Sequence, residues 1–276
     1  MSWSKLRAAP IFPSLLEEGK ANGGYDVRLD FPGVPVYLQF KRGYPMVMRS
    51  AQEIRGGKTS LTVPFHRFHI ADSGVSNQHA MLLELESAGA KVLYAAPRFD
   101  SFSQLNAAWL GNTVAENSIF VKPSDIGPLD DGSHHVAYDN RVSYICSEPR
   151  RIGSLHARDL YEELVVGVNS QKAALADSLP KYERQLVEAN ERAGHKIGEE
   201  FADAGLIAQL RLPSLSADLQ APSTPPLDVP RRSPRKLDGS NEILRRIADR
   251  ALRQFNAQLF IVQDEEAIDS GNEEGG

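Results

Sequence analysis

The middle of the N-terminal half constrains the fold most, because two strand patterns there flank a helical one. Phe65–Ile70 predicts a strand, and Lys91–Ala96 is a short apolar run that suits a buried strand. Between them, Ser76–Ala88 predicts an amphipathic helix, since Ser76 can cap its start and apolar residues recur every three or four positions. Gly89 then ends the helix. Strands and helices that alternate in this way predict an α/β domain.

The residues before this unit predict a helix and a β-hairpin. Leu6–Glu18 is expected to be helical in part, and Gly23-Gly24 interrupts the chain after it. Tyr25–Phe31 alternates as a strand does, a proline-glycine turn follows, and Val36–Lys41 predicts the second strand of the hairpin. The expected order over residues 6–96 is therefore helix, three strands, helix and strand.

Changes in composition divide the chain into five predicted parts. The first is an α/β domain, and the second is a charged helical region interrupted near Pro180. A flexible proline- and serine-rich linker, an amphipathic helix and an acidic disordered tail follow. The predicted bounds of the five parts are 1–150, 151–210, 211–239, 240–262 and 263–276. The apolar face of the C-terminal helix is expected to pack on its own chain or on a partner.

The composition is that of a globular protein without a membrane anchor. Hydrophobic residues make up 41% of the chain and charged residues 24%, and no apolar run approaches the ~20 residues that a membrane span needs. The first residues lack the apolar stretch of a secretory signal, and the single cysteine, Cys146, excludes an internal disulfide. These features predict a cytoplasmic protein with Cys146 packed in its core. The net charge of -5 argues against nonspecific coating of nucleic acid.

Three side chains of the predicted hairpin form a pattern suited to phosphodiester hydrolysis. Asp26 opens the first strand, and Gln39 and Lys41 lie two apart on the second strand, where they share a face. Proteins hold Mg²⁺ with one or two carboxylates and leave other positions to water and substrate. A lysine beside the metal can position the attacking water or stabilise charge on the phosphate. The pattern therefore indicates a metal-dependent phosphodiesterase.

The arrangement Gly-Gly-Tyr-Asp26…Leu-Gln39-Phe-Lys41-Arg resembles the active-site pattern of the PD-(D/E)xK phosphodiesterases. The variant with glutamine in place of the second acid is most similar to the Mrr-type restriction endonucleases. By this resemblance, Asp26 is the principal metal ligand, Gln39 is a weaker neutral ligand and Lys41 is the catalytic lysine. Glu18 is the preferred acid of the preceding helix and a further metal ligand, with Glu17 as second choice.

The resemblance covers about the first hundred residues and implies both a fold and an activity. The fold is α/β with a restriction-endonuclease-like core, a mixed central sheet flanked by helices, followed by a helical C-terminal region. The activity is that of a Mg²⁺- or Mn²⁺-dependent nuclease, a DNA endonuclease of bacterial restriction or anti-phage systems. Double-stranded DNA is the expected substrate, and the helical half would serve a homodimer or a protein partner.

Four further residues are candidates for the surroundings of this site. Gln78 is a second-rank candidate, because it lies near the start of the predicted helix and the superfamily often directs a polar residue from that helix toward the site. Arg42, Arg49 and Arg67 cluster near Gln39 and Lys41 in sequence and are candidates for contacts with the nucleic-acid backbone.

Other conspicuous side chains receive structural interpretations. Trp109 and Phe102 are expected to pack in the core instead of stacking on bases. His66 and His69 are three apart on a predicted strand, so they should point to opposite faces and not share a metal. His134-His135 are expected in a loop.

A glycine-rich segment is similar to the end of a phosphate-binding loop. Residues 56–60 contain Gly57-Lys58-Thr59, but the first glycine of the Gly-x(4)-Gly-Lys pattern is missing. Nucleotide binding by such a loop is therefore not predicted.

Two alternatives to an active nuclease remain open from the sequence. In one, Asp26 caps a turn and Gln39 and Lys41 form a solvated strand face without chemistry. In the other, the nuclease fold is retained without activity, because Gln39 supplies no charge to the ion, and the chain acts as an interaction subunit of a larger assembly.

Overall fold

The computed structural model describes residues 6–11, 27–55, 57–71, 76–130, 132–203 and 239–264. Over these residues the chain is a mixed α/β protein with two β-sheets and six helices. The strands are β1 (Leu6–Ile11), β2 (Val34–Phe40), β3 (Tyr44–Met46), β4 (Phe65–Ile70), β5 (Lys91–Pro97), β6 (Ser118–Val121), β7 (His134–Tyr138), β8 (Ser143–Ile145), β9 (Arg150–Ile152) and β10 (Gln258–Asp264). The helices are α1 (Gln78–Ser87), α2 (Phe102–Leu110), α3 (Pro123–Ile126), α4 (Ala157–Ser170), α5 (Leu175–Asp203) and α6 (Gly239–Phe255).

The first sheet has the order β1-β10-β2-β5-β6 and joins both halves of the chain. β10 is antiparallel to β1 on one side and to β2 on the other. β2 is parallel to β5, with Gln39 opposite Tyr94, and β5 is antiparallel to β6. The sheet is therefore mixed, and only its β2–β5 pair is parallel.

The second sheet is antiparallel throughout, in the order β3-β4-β7-β8-β9. One of its faces joins the main core, through apolar side chains such as Phe68, Val136 and Ile145. The other face carries Arg67, His69 and His135 and is partly covered by the segment before β4, whose Ala51 and Leu61 pack on Phe65.

The main core lies between the two sheets and three helices. One face of the first sheet contributes Tyr37, Tyr94 and Ile261, and helices α1, α5 and α6 cover it with leucine, isoleucine and alanine side chains. On the opposite face of the same sheet, Leu160 and Leu164 of α4 pack on Val36 and other apolar residues. Both faces of the first sheet are thus buried, which explains the continuous apolar runs of β2 and β5.

Several predicted elements of the N-terminal half are confirmed. The strands at 65–70 and 91–97, the helix between them and the strand that carries Gln39 all form. Helix α1 begins at Gln78, and the Ser76 hydroxyl accepts a hydrogen bond from the Gln78 N–H at 3.4 Å. His66 and His69 do point to opposite faces, since His66 stacks on Tyr138 and His69 contacts His135.

The predicted hairpin is wrong. Residues 27–33 form a turn and loop instead of a strand, and the antiparallel partner of β2 is β10, from the other end of the chain. Leu6–Ile11, the first part of the segment expected to be helical in part, is a strand that pairs with β10, and residues 12–18 of that segment lie outside the described residues. Both differences arise because a distant strand, and not the local pattern, decides the pairing.

The C-terminal half is helical as predicted, with corrected boundaries. The break in its helices falls at 171–174, where the extended backbone of Gln171 ends α4, and Pro180 lies inside α5. Helix α6 ends at Phe255, and residues 258–264 form β10 where a helix end and the start of an acidic tail were predicted. His134 and His135 belong to strand β7, not to a loop. The predicted linker at 211–239 lies outside the described residues except for Gly239, which is the first residue of α6.

The described helices do not include one that is both long and apolar enough to cross a membrane. The apolar face of α6 is buried within the chain: Leu244, Ile247, Ala251 and Phe255 are at most 1% exposed. Leu252, an apolar residue of the same helix, is 38% exposed. An ion pair between Arg246 and Glu183, at 2.9 Å, joins α6 to α5. The predicted five-part division stays a prediction, although the first sheet contains residues of its first, fourth and fifth parts.

Candidate active site

Gln39 and Lys41 lie on one face of the first sheet, as their spacing predicts. Tyr37, two residues earlier, belongs to the core between the sheets, whereas Leu38 packs on the α4 side. Gln39 is 2% exposed, so the alternative in which it forms part of a solvated strand face is wrong. Lys41 follows the last residue of β2, and its N–H donates to the Ala95 carbonyl at 2.9 Å. The pair thus lies at the carboxyl end of β2, beside the parallel strand β5.

The amide oxygen of Gln39 is a buried acceptor without a hydrogen-bond partner among the described residues. An unpaired buried polar group costs roughly 1–3 kcal/mol, so native structures contain few of them. A hydrophobic side chain at this position would remove that cost. Among the described residues, this oxygen is therefore a candidate ligand atom.

Lys41 is held partly inside the protein over an aromatic ring. Its Nζ atom lies 5.4 Å from the centroid of the Tyr94 ring, a cation–π distance. Burial lowers the pKa of Lys41 from 10.5 to about 8, because the ammonium loses hydration. The side chain is thus a cation at neutral pH whose charge is not neutralised by an ion pair among the described residues.

Behind this lysine, a hydrogen-bonded chain fixes the Tyr94 ring. The two ring nitrogens of His79, on α1, lie 2.8 Å from the Tyr94 hydroxyl and 2.8 Å from the Gly127 carbonyl oxygen. A carbonyl only accepts, so Nε2 carries the proton and Nδ1 accepts from the Tyr94 O–H. Burial lowers the pKa of His79, and the charge of Lys41 lowers it further. His79 is therefore neutral and serves to position Tyr94.

Arg98 is a second cation at the same edge of the first sheet, and the sequence analysis missed it. It follows β5 and continues the alternation of Val92, Tyr94 and Ala96, which face the main core. One of its guanidinium nitrogens donates to the Glu116 carbonyl at 2.5 Å, and another is buried without a partner among the described residues. The signal in the sequence was its position directly after a buried strand.

Gly43 brings the ends of the two parallel strands into close contact. A Cβ atom at Gly43 would collide with the Pro97 carbonyl and with the Tyr138 hydroxyl. The Tyr138 hydroxyl itself donates to the Pro97 carbonyl at 2.6 Å, so β7 is joined to the end of β5. Lys41 and Arg98 consequently flank a junction of three strands, where parallel strands commonly present binding residues.

The carboxylates expected beside Gln39 are not among the described residues. Asp26, Glu17 and Glu18 lie outside them. The strand that neighbours β2 on the antiparallel side is β10, and its one acidic residue, Asp264, pairs with Leu6 at the far end of the sheet. The described strands therefore bring no carboxylate beside Gln39 from β10, and residues 17–26 remain the predicted source.

The described residues supply only part of a metal-binding site. Gln39 offers one neutral oxygen of the kind that Mg²⁺ accepts. Across the described ranges, His, Cys, Asp and Glu side chains do not gather in threes in a geometry that could hold a metal. The described residues therefore do not complete a metal site without Asp26 and Glu18.

The remaining predicted residues are dispersed. The Gln78 side chain donates to the Phe255 carbonyl at 3.3 Å, so it joins α1 to α6, and its neighbour His79 is the residue that reaches Tyr94. Arg42 lies over the Tyr44 ring at 4.9 Å, and Arg49 is exposed in a turn. Arg67 pairs with Glu53 at 2.6 Å on the outer face of the second sheet. In the part of the chain that the structure describes, no hydrogen bond, ion pair or ring contact joins these three arginines to one another.

The prediction that Phe102 and Trp109 pack in the core is wrong. Phe102 is 82% exposed and Trp109 is 71% exposed, and of the residues of α2 only Ala108 is buried. The helix carries no charged residue. It therefore presents an uncharged, largely apolar surface to solvent next to the end of β5.

Comparison with known proteins gives no relative for this chain: no protein-family model, no curated protein and no solved structure matches it.

Proposed function

We propose that this protein is a metal-dependent phosphodiesterase, a DNA nuclease of the restriction or anti-phage type, with its active site at the carboxyl ends of β2 and β5. The observation that carries the proposal is that Gln39 and Lys41 share one strand face, where Gln39 has a buried amide oxygen without a partner among the described residues and Lys41 is a partly buried cation. A solvated or purely structural strand end requires neither of these features.

The substrate would be held by charge. A phosphodiester carries one negative charge, and Lys41 and Arg98 place two cations at neighbouring strand ends of one sheet face. Lys41 donates hydrogen bonds to the non-bridging oxygens and stabilises charge that develops on the phosphate. Tyr94, fixed by His79, keeps the Lys41 ammonium in position through its ring.

Mg²⁺ or Mn²⁺, held by Asp26, Gln39 and Glu18, would supply Lewis acidity and an activated water. A finer fold assignment, to the restriction-endonuclease-like core, is part of the proposal. It is supported by the mixed first sheet, by helices on both of its faces and by helix α1 before the parallel strand β5.

Cleavage of supercoiled plasmid tests the proposal. The wild-type protein is expected to nick or linearise DNA with Mg²⁺ or Mn²⁺ and not with EDTA. Asp26→Ala and Lys41→Met are each expected to lower the rate at least about 100-fold, because each removes a group that acts on the reacting phosphate. Lys181→Met, at an exposed lysine of α5, is the matched control and should cut as the wild type does.

Thermal unfolding must show that each variant folds before its rate is interpreted. If Asp26→Ala and Lys41→Met cut at the wild-type rate, the assigned site is wrong. If the wild-type protein cuts neither supercoiled, linear nor single-stranded DNA with either metal, the nuclease proposal itself is contradicted.

A second candidate function is that of an interaction subunit, and the surface of α2 favours it. Phe102, Leu105 and Trp109 recur at helical spacing and are 82%, 38% and 71% exposed. Exposed aromatic and leucine side chains on an uncharged helix are typical of docking surfaces, and tryptophan is frequent among residues that dominate binding energy. Because α6 buries its own apolar face, α2 is the better surface for a partner.

Trp109→Ser tests this second function. The substitution is expected to change the free energy of unfolding by less than about 0.5 kcal/mol, because the side chain contributes little to the core. A protein that copurifies in stoichiometric amount with the wild type should be lost from the variant, with binding weakened at least about tenfold. Leu252→Ser, at the exposed edge of α6, serves as control. Equal partner recovery with Trp109→Ser would exclude α2 as the docking surface.

A further inference from the structure

A cleft on the second sheet lies apart from the candidate active site. It has a volume of about 430 Å³ and is lined by Arg67 of β4, His135 of β7, Cys146 after β8 and residues of the segment before β4. Cys146, predicted to be in the core, is thus only partly buried. Because Arg67 alternates with His66 and Phe68, which face the main core, the cleft opens on the opposite face of the sheet. Its volume is within the usual range of small-molecule sites.

Cations dominate the lining of this cleft. The lining contains three basic residues and one acidic residue, which leaves two excess positive charges. The basic residues are Arg55, Lys58 and Arg67, and the acidic residue is Glu53. One carboxylate oxygen of Glu53 pairs with the Arg67 guanidinium at 2.6 Å, and the other is buried without a hydrogen-bond partner among the described residues. Arg55 and Lys58 make no ion pair with the described residues and are exposed at the mouth of the cleft. Burial lowers the pKa of His135, so the imidazole adds no charge at neutral pH.

The segment that carries Lys58 is held in place against the sheet. The Thr59 hydroxyl donates to the Glu53 carbonyl at 2.7 Å, and the Ser60 N–H donates to the Tyr144 hydroxyl at 3.3 Å. Gly57 has a φ of +67°, a conformation that allows the chain to turn there. Helix does not follow Thr59, so this is not a phosphate-binding loop at a helix start; its side chains, not a helix end, supply the charge.

We propose that this cleft binds the phosphate group of a small phosphate monoester, such as a mononucleotide. A phosphate monoester carries a charge of about -1.5 to -2 at neutral pH, which matches the two unneutralised cations. Arginine offers a planar fork of donors and lysine a mobile point charge, and both are common phosphate ligands. The cleft volume of about 430 Å³ suits a ligand of nucleotide size. The proposal is independent of the nuclease function.

Cys146 provides a reporter inside the cleft, because it is the only cysteine of the chain. Its alkylation by iodoacetamide at pH 8.5 can be followed by mass spectrometry, even though burial raises the pKa of the thiol to about 11 and slows the reaction. AMP at millimolar concentration is expected to slow alkylation at least about fivefold, because a bound ligand covers the thiol. Adenosine, which lacks the phosphate, should not protect.

Two double variants decide where the ligand binds. Arg55→Ala/Lys58→Ala should lose the protection by AMP, since it removes the two unpaired cations. Lys181→Ala/Arg184→Ala removes the same charge from exposed positions on α5 and should keep it. Protection by inorganic phosphate alone, lost in the first variant only, would also support a phosphate site.

Three results would overturn the proposal. The first is an alkylation rate that AMP and inorganic phosphate leave unchanged in the wild type. The second is equal protection in both double variants. The third is protection by a single-stranded oligonucleotide but not by AMP or phosphate, which would assign the cleft to a polymer backbone. None of these measurements depends on DNA cleavage.

Discussion

A chain that ends at residue 238 will not fold, whereas a chain that ends at residue 264 will. The shorter chain lacks α6 and β10, and β10 separates β1 from β2 in the first sheet. Without it, β1 has no partner strand among the described residues and one edge of β2 is unpaired. A deletion at the end of the sequence therefore removes an interior strand of the sheet.

The size of the expected effect follows from the side chains that would be lost. Helix α6 and β10 bury large apolar side chains that are at most 2% exposed, namely Leu244, Ile247, Phe255, Leu259, Ile261 and Val262. Truncation of one such side chain to alanine costs roughly 2–5 kcal/mol, and the whole stability of a domain is about 5–15 kcal/mol. The loss of all six exceeds what the remaining contacts supply.

Circular dichroism and urea denaturation measure this outcome. The 1–264 chain and the full chain should each unfold in one cooperative transition, and the 1–238 chain should show none. Adding a peptide of residues 239–276 to the shorter chain should restore part of the transition. A cooperative transition of normal midpoint in the 1–238 chain would show that β10 is dispensable, and the order of the first sheet would then be wrong.

Local pattern was a good guide to individual elements and a poor guide to their partners. The elements from Phe65 to Pro97 and the strand with Gln39 were predictable. Each buries a run or a stripe of apolar residues, and such a pattern is visible within the sequence of a single element. Strand pairing could not be read in the same way. Residues 27–33 directly precede β2, as the first strand of a hairpin would. The strand that pairs with β2 is nevertheless β10, which lies more than two hundred residues later in the chain.

The candidate site shows the same division. The spacing of Gln39 and Lys41 predicted their common face, since alternation is a property of one strand. The roles of Tyr94, His79 and Arg98 depend on the parallel register of β2 and β5 and on where α1 lies, which are not local properties. Trp109 was misassigned because an apolar stripe predicts that a helix face is buried. The stripe does not show whether the residues that bury it belong to the same chain.

Lys41→Met is expected to stabilise the protein at neutral pH while it abolishes cleavage. The folded state holds the Lys41 ammonium in a partly buried position, where its pKa falls from 10.5 to about 8. Folding therefore opposes protonation of this group, and below pH 8 the bound proton costs stability. Methionine has a similar length and no charge to desolvate, so it should raise the free energy of unfolding by roughly 1–3 kcal/mol at pH 7.

The pH dependence separates this cause from a general packing effect. Between the folded pKa of about 8 and the unfolded value of 10.5, the unfolded chain binds more protons, so the wild-type stability contribution of Lys41 rises with pH. The advantage of Lys41→Met should be constant below about pH 7 and should shrink from pH 8 to 10.5. Urea denaturation in EDTA measures it, and Lys181→Met, at an exposed position, should show no advantage at any pH.

The free energy of unfolding and the cleavage rate of Lys41→Met together distinguish a functional role of Lys41 from a structural one. A stabilising substitution that removes activity would mean that the wild-type lysine is kept in an unfavourable position that function requires. A gain in stability without any loss of cleavage would leave the lysine with neither a structural nor a catalytic role. If Lys41→Met is no more stable than the wild type at pH 7, the ammonium is hydrated, and the argument for a desolvated cation beside Gln39 is wrong.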